Sequence, residues 1–195
     1  MRITGGTLCG RILRTPRHGV RPTKERVREA VFSSLAGIIP DSAVLDLFAG
    51  TGALGMEAWS RGARHVDWVE KHPATFRILT DNVSQICGTA AAQHCFQRDV
   101  FDYLKTSLGK SYDFILADPP YDRHDTECKT ESLLELLAAG NYVKRNGYLV
   151  LEQHVAQKIF EHLNWTVKKN KTYGDTRILF YEYTSPEAHV TTQQK

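Results

Sequence analysis

The sequence predicts an α/β protein: a mostly parallel seven-stranded sheet with helices on both faces. Three observations carry that prediction. Val44-Leu-Asp46-Leu-Phe48-Ala49-Gly50-Thr51-Gly52-Ala-Leu-Gly55 is a short apolar run closed by glycines at spacings of two and three and followed by a helix-like segment. Such a stretch reads as strand, tight turn and helix. Runs of strand length then alternate along the chain with segments of helical period, the pattern of a parallel sheet with crossover helices. The last two strands are joined by a link too short for parallel pairing, so they form an antiparallel hairpin at one end.

Taken in order, residues 1–15 contain Gly5-Gly6-Thr-Leu8-Cys-Gly10-Arg-Ile12-Leu-Arg14, which alternates small and branched residues around glycines and reads as a short twisted hairpin. A loop follows to Pro22, which favours an extended Arg21. Thr23 is an N-cap candidate for a helix with Val27, Ala30, Val31 and Leu35 at helical spacing. Strand 44–48 leads into helix 53–61, stopped by Gly62. Strand 65–70 precedes a helix from Pro73 with Phe76, Leu79, Val83 and Ile86 on one face, closed at Gly88. A weaker strand, 95–98, gives way at Asp99 to a short helix through Phe101 and Leu104. Strand 112–117 runs into Asp118-Pro119-Pro120-Tyr121. Helix 131–142, a turn at Asn146-Gly147, strand 148–152, helix 155–163 and strands 165–171 and 177–183 complete the chain. These boundaries divide it into a basic extension at 1–22, one domain at 23–183 and a polar, frayed tail at 184–195.

Composition narrows the setting. A chain of 195 residues with 42% hydrophobic and 24% charged residues suits one globular domain, and no stretch approaches the roughly 20 apolar residues of a membrane span. Met1-Arg-Ile-Thr-Gly-Gly has no apolar signal region, and four cysteines without a Cys-x-x-Cys pair fit free thiols, so a cytoplasmic location is expected. The histidines show no metal-ligand spacing, and no metal is expected. The net charge of +3 conceals an asymmetry: residues 1–28 hold eight Arg or Lys against the single acid Glu25, a net +7. The remainder holds 17 basic and 21 acidic residues, a net −4. A local basic segment that includes Arg2, Arg11, Arg14, Arg17 and Arg21 points to a polyanionic partner.

In sheets of this kind ligands sit at the carboxyl ends of strands. Four predicted strand ends carry polar groups: Asp46 with the glycine loop, Glu70, Asp99, and Asp118 with its prolines. Gly50 and Gly52 permit positive φ and close backbone approach to a ligand, and Gly55 permits tight helix packing. Glu70 is placed to accept from ribose hydroxyls, and Asp99 from an adenine amino group. The two prolines force the strand to stop and hold the backbone rigid. Asp118 and the Pro119 carbonyl can each accept one N–H of an amino group on a planar heterocycle, while Tyr121 stacks on its ring.

With these residues the sequence resembles the class I, S-adenosylmethionine-dependent methyltransferases that carry an Asp-Pro-Pro-Tyr motif. More narrowly it resembles the RsmD family, which methylates the exocyclic N2 of a guanine in bacterial small-subunit (16S) ribosomal RNA. The resemblance runs to about Tyr183. It rests on Met1-Arg-Ile with Gly5-Gly6 and Gly10-Arg11, Arg21-Pro-Thr23 with Arg26-Val-Arg-Glu29, the Asp46 to Gly55 stretch, Val69-Glu70-Lys71, Asp118 to Tyr121, and Tyr173-Gly-Asp-Thr176. The family more often has a Pro-Gly or Gly-Gly turn where this chain has Asn146-Gly147. The resemblance implies a Rossmann-like methyltransferase fold and direct in-line displacement of the methyl group, with S-adenosylhomocysteine as product and no metal. It implies that Phe48, Ala49, Gly50, Thr51 and Gly52 contact the methionine half of the cofactor, with Thr23 beside it, Glu70 at the ribose and Asp99 at the adenine. It also implies 16S rRNA as partner, free or within a partly assembled subunit, and a monomer is expected.

Other readings separate on particular residues. A nicotinamide oxidoreductase shares the glycines and Glu70 but leaves Asp118 to Tyr121 without a purpose. A DNA adenine methyltransferase shares Asp-Pro-Pro-Tyr but not the N-terminal residues. Protein glutamine methyltransferases usually begin that motif with Asn, and a non-catalytic RNA-binding module has no need of either motif.

Overall fold

The computed structural model describes residues 1–16, 25–89, 91–106, 109–120 and 126–184. Its sheet has seven strands: β1 (Ala43–Leu47), β2 (His65–Glu70), β3 (Cys95–Gln97), β4 (Tyr112–Ala117), β5 (Val143–His154), β6 (Trp165–Tyr173) and β7 (Thr176–Tyr183). The strand order is β3-β2-β1-β4-β5-β7-β6. The pairs from β3 to β5 are parallel, whereas β5–β7 and β6–β7 are antiparallel. The seven-stranded, mostly parallel sheet with a C-terminal antiparallel pair is therefore as expected.

The α-helices are α1 (Glu25–Leu35), α2 (Ala53–Ser60), α3 (Pro73–Cys87), α4 (Val100–Thr106) and α5 (Thr126–Ala139). Alternation along β1 divides them between the faces. Val44 joins Val27, Val31, Met56, Leu79 and Val83 on the face covered by α1, α2 and α3. Leu45 and Leu47 join Val100, Leu104, Leu133, Leu134 and Leu137 on the face covered by α4 and α5. A strand buried on both faces reads as a near-continuous apolar run, broken here by Asp46, which is why the 43–47 stretch is so legible. Among the described residues no helix is long and apolar enough to cross a membrane.

Three expectations need correction. The segment 155–163 is not a helix. The Gln157 carbonyl, which a helix would pair with residue 161, accepts instead from Arg177 at 2.8 Å, and the Tyr181 hydroxyl ties Phe160 O to β7 at 3.1 Å. The His154 ring accepts from Ala156 N–H at 3.1 Å, a local side-chain bond of the kind that competes with helix formation. Leu163, 80% exposed, has no face to bury. The helix read as 131–142 is α5, ending at Ala139; Asn141 takes a φ of 52°, and Tyr142 turns inward to donate to Leu104 O at 2.6 Å. Asn146-Gly147 is not a turn between elements but an irregularity inside β5, where pairing with β4 jumps from Tyr112–Val143 to Phe114–Tyr148. The N-terminal segment is the short hairpin expected: Arg2 bridges Ile12 antiparallel, with Ile3 N–H donating to Arg11 O at 3.0 Å and Leu13 N–H to Met1 O at 2.8 Å. Ile3 and Leu13 are buried in the main core, so the segment is packed onto the domain.

Candidate active site

The glycine loop leaves the carboxyl end of β1 in a conformation that the sequence specifies. Phe48, Gly50 and Gly52 all have positive φ, at 58°, 56° and 86°. Gly52 N–H closes the turn on Ala49 O at 2.8 Å, and Ala49 N–H reaches across to Val69 O at 3.0 Å. A Cβ built on Gly50 meets open space, its nearest neighbour being Phe48 O at 4.0 Å, so the backbone there is bare on its outer side. Gly55 differs: a Cβ there would run into the Trp68 indole, which is completely buried. Its glycine serves helix–strand packing, as the spacing predicts.

Asp46 lies inside β1 with 0% exposure. Its Oδ2 accepts Gly55 N–H at 2.8 Å, fastening the start of α2 to the strand, while Oδ1 is buried without a hydrogen-bond partner among the described residues. Burial pushes its carboxyl up to about 8, with Asp118 and Glu70 adding to the rise against the bond from Gly55. The three acids thus share one electrostatic environment at the carboxyl edge of the sheet.

Glu70 ends β2 and organises the loop as well as facing it. Its Oε2 accepts Gly50 N–H at 2.9 Å and its Oε1 accepts His72 N–H at 2.7 Å. A carboxylate has about four acceptor positions, so roughly two stay available for hydroxyl donors. Asp99, two residues beyond β3, caps α4: Oδ1 accepts the N–H groups of Phe101 at 2.9 Å and Asp102 at 3.4 Å. Its other oxygen takes Lys71 Nζ at 3.0 Å. Burial raises this carboxyl, but Lys71 and the two amides outweigh it and hold the group below the ordinary value. The cap was not foreseen from sequence, although Asp one residue before a helix is its usual signature. Phe48 meets Phe101 edge-on, ring centres 6.2 Å apart, so the loop and the start of α4 are in contact.

The second motif emerges beside the first. β1 and β4 are neighbours in register, with Leu47 opposite Ala117. Phe48 to Gly52 and Asp118 to Pro120, some 70 residues apart in sequence, therefore leave the sheet side by side. Asp118 is half-buried, Pro119 buried and Pro120 exposed. Tyr121, Thr23, Arg17 and Arg21 lie outside the described residues.

The basic extension is tied to this site from below. Glu57, on α2 and fully buried, accepts Thr4 N–H at 2.9 Å, the Thr4 hydroxyl at 2.7 Å and Arg61 Nε at 3.0 Å. Arg28, also fully buried, lies 4.0 Å from the same carboxylate and donates to Arg2 O at 2.6 Å. Ser60 adds bonds with Gly5 O at 2.5 Å and Leu8 N–H at 2.9 Å. Of the arginines assigned to a polyanion, Arg11 and Arg14 are exposed, and Arg2 is exposed but paired with Glu25 at 3.3 Å. Sequence reading missed Glu57. Its signal is an acid on the inner face of an otherwise apolar helix.

Sequence spacing also missed a cluster at the other end of β2. His65 Nε2 and His94 Nδ1 each lie 3.0 Å from Asp67 Oδ1. Asp67 Oδ2 already accepts from Lys110 at 2.9 Å and Tyr112 at 2.6 Å, so this buried carboxylate is satisfied by four donors. Burial raises its carboxyl, and the bonds from Tyr112 and Lys110 more than reverse the effect.

A glycine loop at the end of β1, flanked by acid-ended strands and an Asp-Pro-Pro turn in this strand order, defines a class I methyltransferase. The chain belongs to the family described as conserved hypothetical protein 95, the RsmD family, which matches residues 1–182. It is 33% identical over 162 residues to the ribosomal RNA small subunit methyltransferase D of Buchnera aphidicola from Acyrthosiphon pisum, covering 83% of this chain and 82% of that protein. With the protein of the same description from Haemophilus influenzae it shares 30% identity over 184 residues, 93% of each chain. Among solved structures, the Escherichia coli yhhF protein superposes with a TM-score of 0.79 at 30% identity, covering 95% of this chain and 98% of that one.

Proposed function

We propose that this protein transfers a methyl group from S-adenosylmethionine to the exocyclic N2 of a guanine in bacterial 16S rRNA. The observation that carries the reading is the juxtaposition of the glycine loop with the Asp118-Pro119-Pro120 turn at adjacent strand ends. Membership of a family whose relatives are described as small-subunit rRNA methyltransferases supports the substrate class.

The residues present fit the cofactor. The bare outer side of Gly50 admits a close ligand, Glu70 retains acceptor positions for ribose hydroxyls, and Asp99 is at hand for an adenine amino group. Phe48 to Gly52 would hold the methionine half, with Asp46 fastening the loop from beneath and Thr23 nearby. When bound, S-adenosylmethionine supplies an already activated methyl group, so the protein's task is to bind, orient and exclude water. Such positioning is worth on the order of 7–11 kcal/mol of a barrier. Asp118 and the Pro119 carbonyl accept the two N–H groups of the guanine amino group and aim its lone pair, Pro120 keeps the turn rigid, and Tyr121 stacks on the base.

The target base must leave its stack to enter this site, which suits a splayed ribosomal guanine. Residues 1–22 serve as the RNA-binding extension, with Arg2, Arg11, Arg14, Arg17 and Arg21 on the RNA backbone, and residues 23–183 form the catalytic domain. The reaction takes place in the cytoplasm, on free rRNA or a partly assembled small subunit. Mapping methylated guanines in 16S rRNA from cells lacking this protein tests the reading. One N2-methylguanine should disappear and return on complementation; an unchanged methylation pattern refutes it.

A further inference from the structure

Asn82 is an amide on the apolar face of α3, beside Thr75, Leu79 and Val83, and only 1% exposed. A buried carboxamide is costly unless its donors and acceptor are matched. Here they are, by two separate parts of the molecule. Oδ1 accepts Arg14 N–H at 2.9 Å, and Nδ2 donates to Arg14 O at 3.0 Å. The same Nδ2 donates to Thr51 O, at 3.1 Å, in the middle of the glycine loop. Both backbone groups of Arg14 are thus gripped as a neighbouring β-strand would grip them. The Arg14 guanidinium, exposed, lies 3.8 Å from Asp81, the residue before Asn82. Thr51, 4% exposed, has a carbonyl that water cannot readily serve.

We propose that Asn82 is a positioning residue through which RNA on the basic extension and cofactor on the glycine loop strengthen each other's binding. The inference rests on the RNA methyltransferase reading above. RNA phosphates drawn to Arg11 and Arg14 restrain the backbone of residue 14. The carboxamide passes that restraint to Thr51, whose neighbours Gly50 and Gly52 make the cofactor cradle. A loop already ordered by one ligand costs the other less to order, and linkage makes the effect equal in both directions. Packing alone does not ask for an amide at this position; two partners from opposite sides of the site do.

The test is S-adenosylhomocysteine affinity by calorimetry, with and without saturating unmethylated 16S rRNA transcript, for the wild type and for Asn82→Ala and Asn82→Asp. Asn82→Asp keeps the acceptor for Arg14 N–H but turns an oxygen toward both carbonyls. In the wild type RNA should tighten S-adenosylhomocysteine binding by about fivefold or more, the lower end of ordinary coupling, and the factor should fall to near one in both variants. A wild-type factor of one, or an equal factor in the variants, overturns the coupling while leaving the methyltransferase reading intact. Absence of S-adenosylhomocysteine or RNA binding by the wild type defeats that reading, and the coupling with it. Hydrogen exchange on the wild type keeps the test independent of variant folding. S-adenosylhomocysteine should slow exchange at residues 11–16 and RNA should slow it at 50–52; protection that is not reciprocal overturns the proposal.

Discussion

Replacing Glu57 with alanine should release the basic extension from the domain and destabilise the whole protein. The carboxylate is fully buried and takes bonds from Thr4 N–H, the Thr4 hydroxyl and Arg61, with Arg28 4.0 Å away. Removal leaves the Arg28 guanidinium, itself fully buried, without that counter-charge. Breaking a buried ion pair from one side costs about 3–5 kcal/mol. The unmade Thr4 bonds belong to the same cluster and are not independent of that figure. For a domain of this size 1 kcal/mol corresponds to roughly 2–4 °C in Tm, so a fall of about 6–20 °C is expected. Urea unfolding by circular dichroism gives the free energy, and limited proteolysis at residues 5–11 reports release of the extension. Glu57→Gln, which keeps the shape but not the charge, should fall between the wild type and Glu57→Ala. A loss below about 1 kcal/mol with an unaltered proteolysis pattern would refute the claim that this carboxylate anchors the extension.

Three further outcomes follow from the site. Asp118→Ala should leave S-adenosylmethionine affinity nearly unchanged and lower kcat by about 100-fold or more, the usual effect of removing one positioned transition-state hydrogen bond; wild-type turnover removes Asp118 from the mechanism. Asp46 gives a pH signature. Its carboxyl, ordinarily near 3.8, is pushed up to about 8 by burial, helped by Asp118 and Glu70, so the folded state holds one more proton than the unfolded state between those values. Its contribution is fully present below the unfolded value and is lost as pH rises toward 8, at up to about 1.4 kcal/mol per pH unit. The stability difference between wild type and Asp46→Asn should therefore drift across that window, and a constant difference contradicts the raised value. Neutralising Arg11, Arg14 and Arg17 together should weaken RNA binding and flatten its salt dependence, by about 0.7 to 0.9 in the log–log slope for each phosphate that is no longer neutralised; an unchanged slope places the RNA elsewhere.

Much of the architecture was legible because local chemistry and tertiary context agree. The 44–55 stretch, the turn glycines at 62 and 88, and the proline stop after Ala117 state their conformations within a few residues. The segment 155–163 departs from the helix its sequence suggests because its fate is decided from afar: Arg177 on β7 takes the Gln157 carbonyl that a helix would use, and Tyr181 ties Phe160 to the same strand. Asn146-Gly147 carries turn chemistry, yet β4 pairs with Val143 before it and Tyr148 after it and so keeps it inside a strand. The site divides in the same way. Strand-end acids follow from the alternation of elements, so Glu70, Asp99 and Asp118 could be placed at one edge of the sheet. Glu57 and Asn82 could not, because their partners lie 53 and 68 residues away. Each leaves one mark in the sequence, a polar residue inside an apolar helical stripe, and that mark does not say which segment will satisfy it.

The central claim is that the two adjacent strand ends work as one methyl-transfer site on RNA. Incubating the purified protein with methyl-labelled S-adenosylmethionine and unmethylated 16S rRNA, both as a transcript and within small subunits, tests it most directly, with digestion to nucleosides and mass spectrometry as the readout. Label recovered as N2-methylguanosine by the wild type, and lost in Asp118→Ala, is the predicted result. Label on adenine or on protein, or no transfer to either form of the RNA, would contradict it.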